Sequence, residues 1–146
     1  MNYKILFYIL FLFLLFPKVI VSDEIIIDSS KVKVLDEGNI ISALDVKAKI
    51  PGKKIEIEGD KSIYDKTNSQ LTIINNVKFF DKLKNVYIEA KKAIYNQITD
   101  VVQTFGETYI KVENKYDVYS YDLFYDRKSQ KIYSNKETTI KDNKKN

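Results

Sequence analysis

The chain has 146 residues, a length that allows one domain. Its 24 basic and 20 acidic residues give a net charge of +4, and they are scattered, with no basic block interleaved with aromatics, so no nucleic-acid partner is expected. It has neither cysteine nor histidine. That excludes disulfide and thiol chemistry and removes the commonest general base and metal ligand.

Residues 1–22 read as an export signal. Lys4 supplies a short positive start, residues 5–16 form an unbroken apolar run, and Pro17-Lys18 ends it before Ser22. A membrane span wants about 20 apolar residues, so the run is short for a permanent anchor. Lengthened by residues 19–21, it reads instead as an uncleaved N-terminal anchor. Removal of 1–22 takes away Lys4 and Lys18 and leaves 22 basic against 20 acidic residues, a net charge of +2.

Residues 24–28 predict a first strand that is apolar and β-forming through Ile25, Ile26 and Ile27. Gly38-Asn39 predicts a tight turn and Pro51-Gly52 another. The pattern between them is weak, with Ile40, Val46 and Ala48. It becomes strong at residues 55–65, IEIEGDKSIYD, which returns as VYIEAKKAIYN at 86–96 and as YDVYSYDLFYD at 116–126. Tyr64, Tyr95 and Tyr125 are 31 and then 30 residues apart, the signature of a repeat architecture. Each copy opens with two-residue alternation, which is strand periodicity with one buried face. A small residue follows (Gly59, Ala90, Ser120), and the apolar phase then slips by one. One extra residue is what a β-bulge adds, and a bulge also bends a strand, so a bulge is expected at each of these positions.

The second half of the unit repeats as well. Leu71, Ile73, Val77 and Phe79 are followed 31 residues later by Val102, Thr104, Thr108 and Ile110, and 30 after that by Ile132, Ser134, Thr138 and Ile140. Ile40, Val46 and Ala48 precede Leu71, Val77 and Phe79 by 31 residues as a weaker copy. The unit is strand, turn, strand, turn, in about four strand pairs. Residues 65–69 and 126–129 are turns whose Asp, Asn and Ser side chains can bond the nearby backbone. Helix-forming residues at 89–98 lie in register with a strand of the preceding copy and read as strand. The last strand is expected over 137–141, with Thr138, Thr139 and Ile140, and residues 143–146 form a polar tail. A complete repeat at this point fits either a whole protein or the first part of a longer one.

Recurring acids (Glu56, Glu58, Asp60, Asp65, Asp126) lie on the wet face or at turn starts, and Ser29, Ser30 and Ser120 have no histidine to activate them. No enzyme, metal or cofactor is expected. Lysine outnumbers arginine 23 to 1, read as compositional bias with no functional content. The inward set is Ile55, Ile57, Tyr64, Leu71, Ile73, Val77, Phe79, Val86, Ile88, Tyr95, Val102, Ile110, Val118, Tyr125 and Ile132. That set forms either a core or an open apolar trough.

The units IEIEGDKSIYD with LTIINNVKF, and VYIEAKKAIYN with VQTFGETYI, resemble the OstA-like domain family of lipopolysaccharide transport. That family includes LptA and the N-terminal domain of LptD. The resemblance covers residues 25–142, although Asn75 and Lys136 stand where the family usually has Gly. It implies an all-β, open, V-shaped repeat β-jellyroll over residues 23–142. It implies a periplasmic protein, with a possible association with the outer membrane, whose inward set shields lipid A acyl chains. It further implies head-to-tail strand addition to other OstA-like domains through Ile25, Ile26, Ile27, Thr138, Thr139 and Ile140, and work with the outer-membrane assembly complex. An inner-membrane-anchored, LptC-like role is the variant within the family. A secreted structural or adhesive β-repeat protein, with a filled core and a charged or aromatic outer face, is the reading outside it.

Overall fold

The computed structural model describes residues 23–143; the export-signal or anchor expectation for 1–22 and most of the polar tail lie outside the described residues. The strands are β1 (Ile26–Asp28), β2 (Lys31–Leu35), β3 (Ile40–Ile50), β4 (Ile55–Asp65), β5 (Gln70–Asp81), β6 (Val86–Asn96), β7 (Val101–Val112), β8 (Tyr116–Tyr121), β9 (Leu123–Asp126), β10 (Lys131–Ser134) and β11 (Thr139–Asp142). All belong to one antiparallel sheet with neighbours in the order β1-β3-β4-β5-β6-β7-β8-β11. β2 also pairs with β3, β9 with β7, and β10 with β9. Both ends of the sheet are therefore split, β1 and β2 at one end and β10 and β11 at the other. The expected all-β open sheet of strand-turn-strand units is the observed one, and residues 89–98 run through strand β6 into its turn.

Turn chemistry sets the unit length. The Asp65 carboxylate accepts from the backbone N–H of Asn68 at 3.1 Å, and the Asp126 carboxylate accepts from the N–H groups of Lys128 and Ser129 at 2.9 and 3.1 Å. Asp81 and Asn96 do the same for Lys84 and Thr99. These side chains supply bonds that a turn backbone otherwise takes from water.

The long strands share a corner that divides the sheet into two arms. Residues 46–50, 55–58, 77–81, 86–90, 107–112 and 116–121 form the first arm, flanked by β1 and β11. Residues 40–44, 61–65, 70–74, 92–96, 101–105 and 123–126 form the second, flanked by β2 and β10. Left-handed backbone marks the line at Asp45, Asn75, Asn76, Gly106 and Asp122. The extra residue is not at Gly59, Ala90 or Ser120 as expected. Between the paired positions Glu58↔Lys78 and Lys61↔Ile74, β5 holds one residue more than β4, and between Ala90↔Thr108 and Lys92↔Phe105, β7 holds one more than β6. The bulges therefore lie in the return strands, where Asn and Gly tolerate positive φ. Asn75 fills the Gly position of the family pattern in that way. At the other departure, Lys136, the third return strand is interrupted and becomes β10 and β11.

Gly59 answers a different need. A Cβ there would run into the Ile73 side chain and lie 3.1 Å from the Asn75 carbonyl oxygen. Two acids tie the corner from outside the bulges: Asp60 accepts from the Asn76 amide at 3.0 Å, and Asp122 from the Gly106 N–H at 2.9 Å. The first copy is one residue shorter at its corner. Ile41, and not Ile40, is the counterpart of Leu71, since both pair with Tyr64.

Candidate functional site

The inward faces of the arms form two rows that cross the whole sheet. In the first arm the row is Ala48, Ile57, Phe79, Ile88, Ile110, Val118 and Ile140, each opposite the next. In the second it is Ile41, Tyr64, Leu71, Tyr95, Val102, Tyr125 and Ile132. Ile55, Ile73, Val77 and Val86 flank these rows and are buried with them, while Tyr64 and Ile132 are partly buried at the periphery. All fifteen residues of the predicted inward set lie on or beside the rows. Ala43, Ala93 and Leu123 join the same core without having been singled out, because their phase is set by the corner.

The arms fold over each other. In a flat sheet Tyr95 would lie seven residues beyond Ile88, the partner of Phe79, roughly 23 Å along the strand at ~3.3 Å per residue. The Phe79 and Tyr95 rings are instead 6.1 Å apart, with Phe79 fully buried. The rows thus meet and fill the space between the arms. A cavity of about 580 Å³ remains at the β1/β2 end, lined by Ile25, Ile27, Val32, Ile41 and Tyr64 with Asp23, Lys66 and Gln97 at its rim. A second concavity, of about 1050 Å³, lies on the outside of the first arm and is lined by Lys78, Glu89, Tyr109, Tyr119 and Tyr121. The outer face there carries an aromatic chain, Phe80–Tyr87–Tyr109–Tyr119, with ring centroids 4.6, 6.4 and 5.2 Å apart. Burial, with the Asp117 carboxylate that accepts its hydrogen bond, pushes the Tyr109 phenol up to about 12.

Where the tips of the arms meet, opposite the corner, the lining changes from apolar to charged. Arg127, the lone arginine of the chain, is 4% exposed. Its Nε donates to Asp81 at 2.7 Å and one terminal nitrogen donates to both Asp100 oxygens at 2.8 Å. The other donates to the Lys53 carbonyl at 3.2 Å. Tyr125 donates to Asp81 at 3.0 Å, and Tyr95 to Asp100 at 2.7 Å. Lys53 Nζ reaches the Tyr95 hydroxyl and the Gln97 carbonyl, both at 3.1 Å. Asp81 and Lys53 stand at the tip of the first arm; Tyr95, Asp100, Tyr125 and Arg127 stand at the tip of the second. Two cations and two carboxylates are thus matched across the seam.

Burial alone would raise the Asp100 carboxyl. The hydrogen bonds from Tyr95 and Arg127 and the charges of Arg127 and Lys53 outweigh it and hold the group below the ordinary carboxylate range. Burial raises the Tyr95 and Tyr125 phenols, and their aspartate partners raise them further, so both stay protonated donors. Burial opposes the charge on Arg127, but its bonds to Asp81 and Asp100 more than restore it. The reading of the arginine count as mere composition is corrected here. A guanidinium alone offers several donors in one plane, and this site uses three different acceptor groups. The carboxylates Asp81 and Asp100 were missed because Asp81 ends β5 and Asp100 stands in the turn before β7, where either reads as an ordinary turn residue. The available signal was a single Arg where every other base is Lys.

The predicted edge residues divide. Ile26 and Ile27 lie in β1 and pair with Lys49 and Ala48, and Thr139 and Ile140 lie in β11 and pair with Tyr119 and Val118. Ile25 precedes β1 and packs against the core. Thr138 precedes β11, and its hydroxyl shares a 2.8 Å hydrogen bond with Ser120. The last strand is therefore 139–142, one side of a split end, and the first shares its end with β2. Each terminal strand has one partner in the sheet and turns its other edge outward.

No family model and no curated protein matches the chain. Solved structures do. One is the crystal structure of LptH, the LptA-homologous periplasmic component of the conserved lipopolysaccharide transport device from Pseudomonas aeruginosa. It superposes with a TM-score of 0.71 over 82% of this chain and 94% of that chain, at 11% identity. At that identity the likeness establishes the fold. The architecture is the LptA-like β-jellyroll.

Proposed function

We propose that this protein is an exported, periplasmic component of lipopolysaccharide transport that shields lipid A acyl chains between its two arms. The observation that carries the proposal is the pair of apolar rows, unbroken by charge from β3 to the last strands. Such rows present equivalent apolar sites across seven strands, so an acyl chain can move from one to the next. Burying an acyl chain is worth ~0.8 kcal/mol per CH₂, so a chain of roughly ten carbons gains about 8 kcal/mol over water. The likeness to LptH supports the same reading. The outward edges of β1 and β11 fit strand addition to other domains of this fold, within a route that ends at the outer-membrane assembly complex. The protein is expected to co-purify with lipopolysaccharide from a periplasmic extract, with an intact mass that lacks residues 1–22. A lipid-free preparation that also fails to bind added lipopolysaccharide would reject the carrier reading; a full-length, membrane-retained product would favour the anchored, LptC-like variant.

A second reading, a structural or adhesive β-repeat protein, draws on the filled interior and on the outer Phe80–Tyr119 aromatic chain. The same purification separates the two, because that reading requires no lipid.

A further inference from the structure

The seam runs along the margin of the rows opposite the corner, the sideways route to them, as distinct from the open ends of the sheet. Elsewhere the interior between the arms is mostly apolar, with neutral hydroxyls such as the Thr104–Thr108 pair at the corner, and the buried charges of the described residues are gathered at the seam. Replacing a buried ion pair by well-packed apolar residues commonly leaves a protein as stable or more so, so the network is not explained by stability. It differs from an apolar closure in another respect. When apolar tips part they expose hydrocarbon to water, whereas parted charges regain hydration that offsets the lost pairing. Asp81 and Asp100 come from different arms, and Arg127 holds both at 2.7–2.8 Å, so one guanidinium spans the closure. The segment leading into β1 crosses the same seam. Asp23 lies 3.5 Å from Lys53 on the first arm, and its carbonyl accepts from Gln97 of the second at 2.7 Å. The opposite margin is the corner, whose left-handed residues and bulges make it the natural axis of opening.

We propose that this seam is a latch. Arg127, bound to Asp81 and Asp100, closes the arms over a filled interior, and its release lets an acyl chain in sideways between the two rows. Lys53 and Tyr95 position Asp100 for that closure. The proposal rests on the carrier reading and adds the place and the gate of loading.

The chain has no cysteine, so a Lys53→Cys/Gln97→Cys pair can be bridged specifically by a short bis-maleimide. Uptake of pyrene-labelled dodecanoic acid is followed by fluorescence in the wild type, in Arg127→Met, in Arg127→Lys and in the cysteine pair before and after bridging. Circular dichroism checks that each keeps its sheet. Loss of the guanidinium should speed uptake roughly tenfold or more, since it removes the one group that bonds both carboxylates and leaves only Tyr125 on Asp81 and Lys53 on Asp100 across the closure. Arg127→Lys should fall between it and the wild type. The unbridged pair should be fast and the bridged pair should not load, a comparison that stands even if Arg127→Met fails to fold. Equal uptake by the bridged and unbridged pair would overturn the latch and leave the carrier reading standing. No uptake by any form would overturn both.

Discussion

Along the corner the two arms are joined by continuous backbone, and along the seam by hydrogen bonds and ion pairs that side chains make. The corner is built from features that recur along the repeat: a small residue at Gly59, Ala90 and Ser120, a bulge with positive φ in β5 and in β7, and an acid, Asp60 or Asp122, bonded to each bulge. The seam is built once. It draws Lys53, Asp81, Asp100 and Arg127 from four different turns, up to 74 residues apart. A repeat can bend a sheet at every unit, but it closes on itself only where particular residues from distant units meet. The bend therefore belongs to the architecture, and the closure belongs to this sequence.

The largest effect should come from breaking the seam. Arg127→Met leaves Asp81 buried without a cation and Asp100 with Lys53 only, and should cost ~3–5 kcal/mol in urea unfolding. The triple variant with Asp81→Asn and Asp100→Asn should recover a large part of that loss, because the residues act as one network. A smaller loss is expected at the corner. Gly59→Ala pushes a methyl into Ile73 and should cost ~1–3 kcal/mol, whereas the neighbouring units already hold Ala90 and Ser120 at that place. If Gly59→Ala proved more costly than Arg127→Met, the corner and not the seam would be the site that holds the arms in place.

Acid sharpens the contrast further. The Asp100 carboxyl titrates lower folded than unfolded, so its contribution is whole above the ordinary value of ~3.9 and disappears as pH falls through the folded one. Thermal unfolding of the wild type should therefore lose stability more steeply below about pH 4 than Asp100→Asn does. Parallel curves would show that Asp100 gains nothing from the seam. The smallest effect is expected at Ser62, fully buried in the core with no hydrogen-bond partner for its hydroxyl. Ser62→Ala should raise stability by up to ~1 kcal/mol, since it removes an unmet polar group at little change of shape. A loss there would point to a role for the hydroxyl at the corner.

The repeat made most of the fold legible. Alternation at Ile55–Ile57 and Val86–Ile88 gave the strands, and the equal spacing of Tyr64, Tyr95 and Tyr125 gave the register between units. The Asx turns at Asp65 and Asp126 followed from local chemistry. The bulges were misplaced because a slip of phase is shared by two partner strands, and only the pairing shows which one holds the extra residue. Asn75 and Asn76, rather than Gly59, carry the left-handed backbone. The seam was not legible. Asp81, Asp100 and Arg127 each stand at a strand end, where a turn explains them, and nothing local shows that one arm folds over the other. Thr138 fell just outside its strand because the break at 135–138 has no counterpart in the earlier units, and Ile25 lies one residue before β1.

The central claim, that the inward rows are a lipid site, is tested most directly by photo-crosslinkers placed on the two faces of the first arm. Ile57, Phe79 and Ile88 are consecutive members of the inward row, while Glu56, Lys78 and Glu89 lie on the outer face of the same strands. With lipopolysaccharide present in the periplasm, irradiation should give lipid adducts at the first three positions and none at the second three. Equal labelling of both faces, or labelling of the outer face alone, would contradict the account.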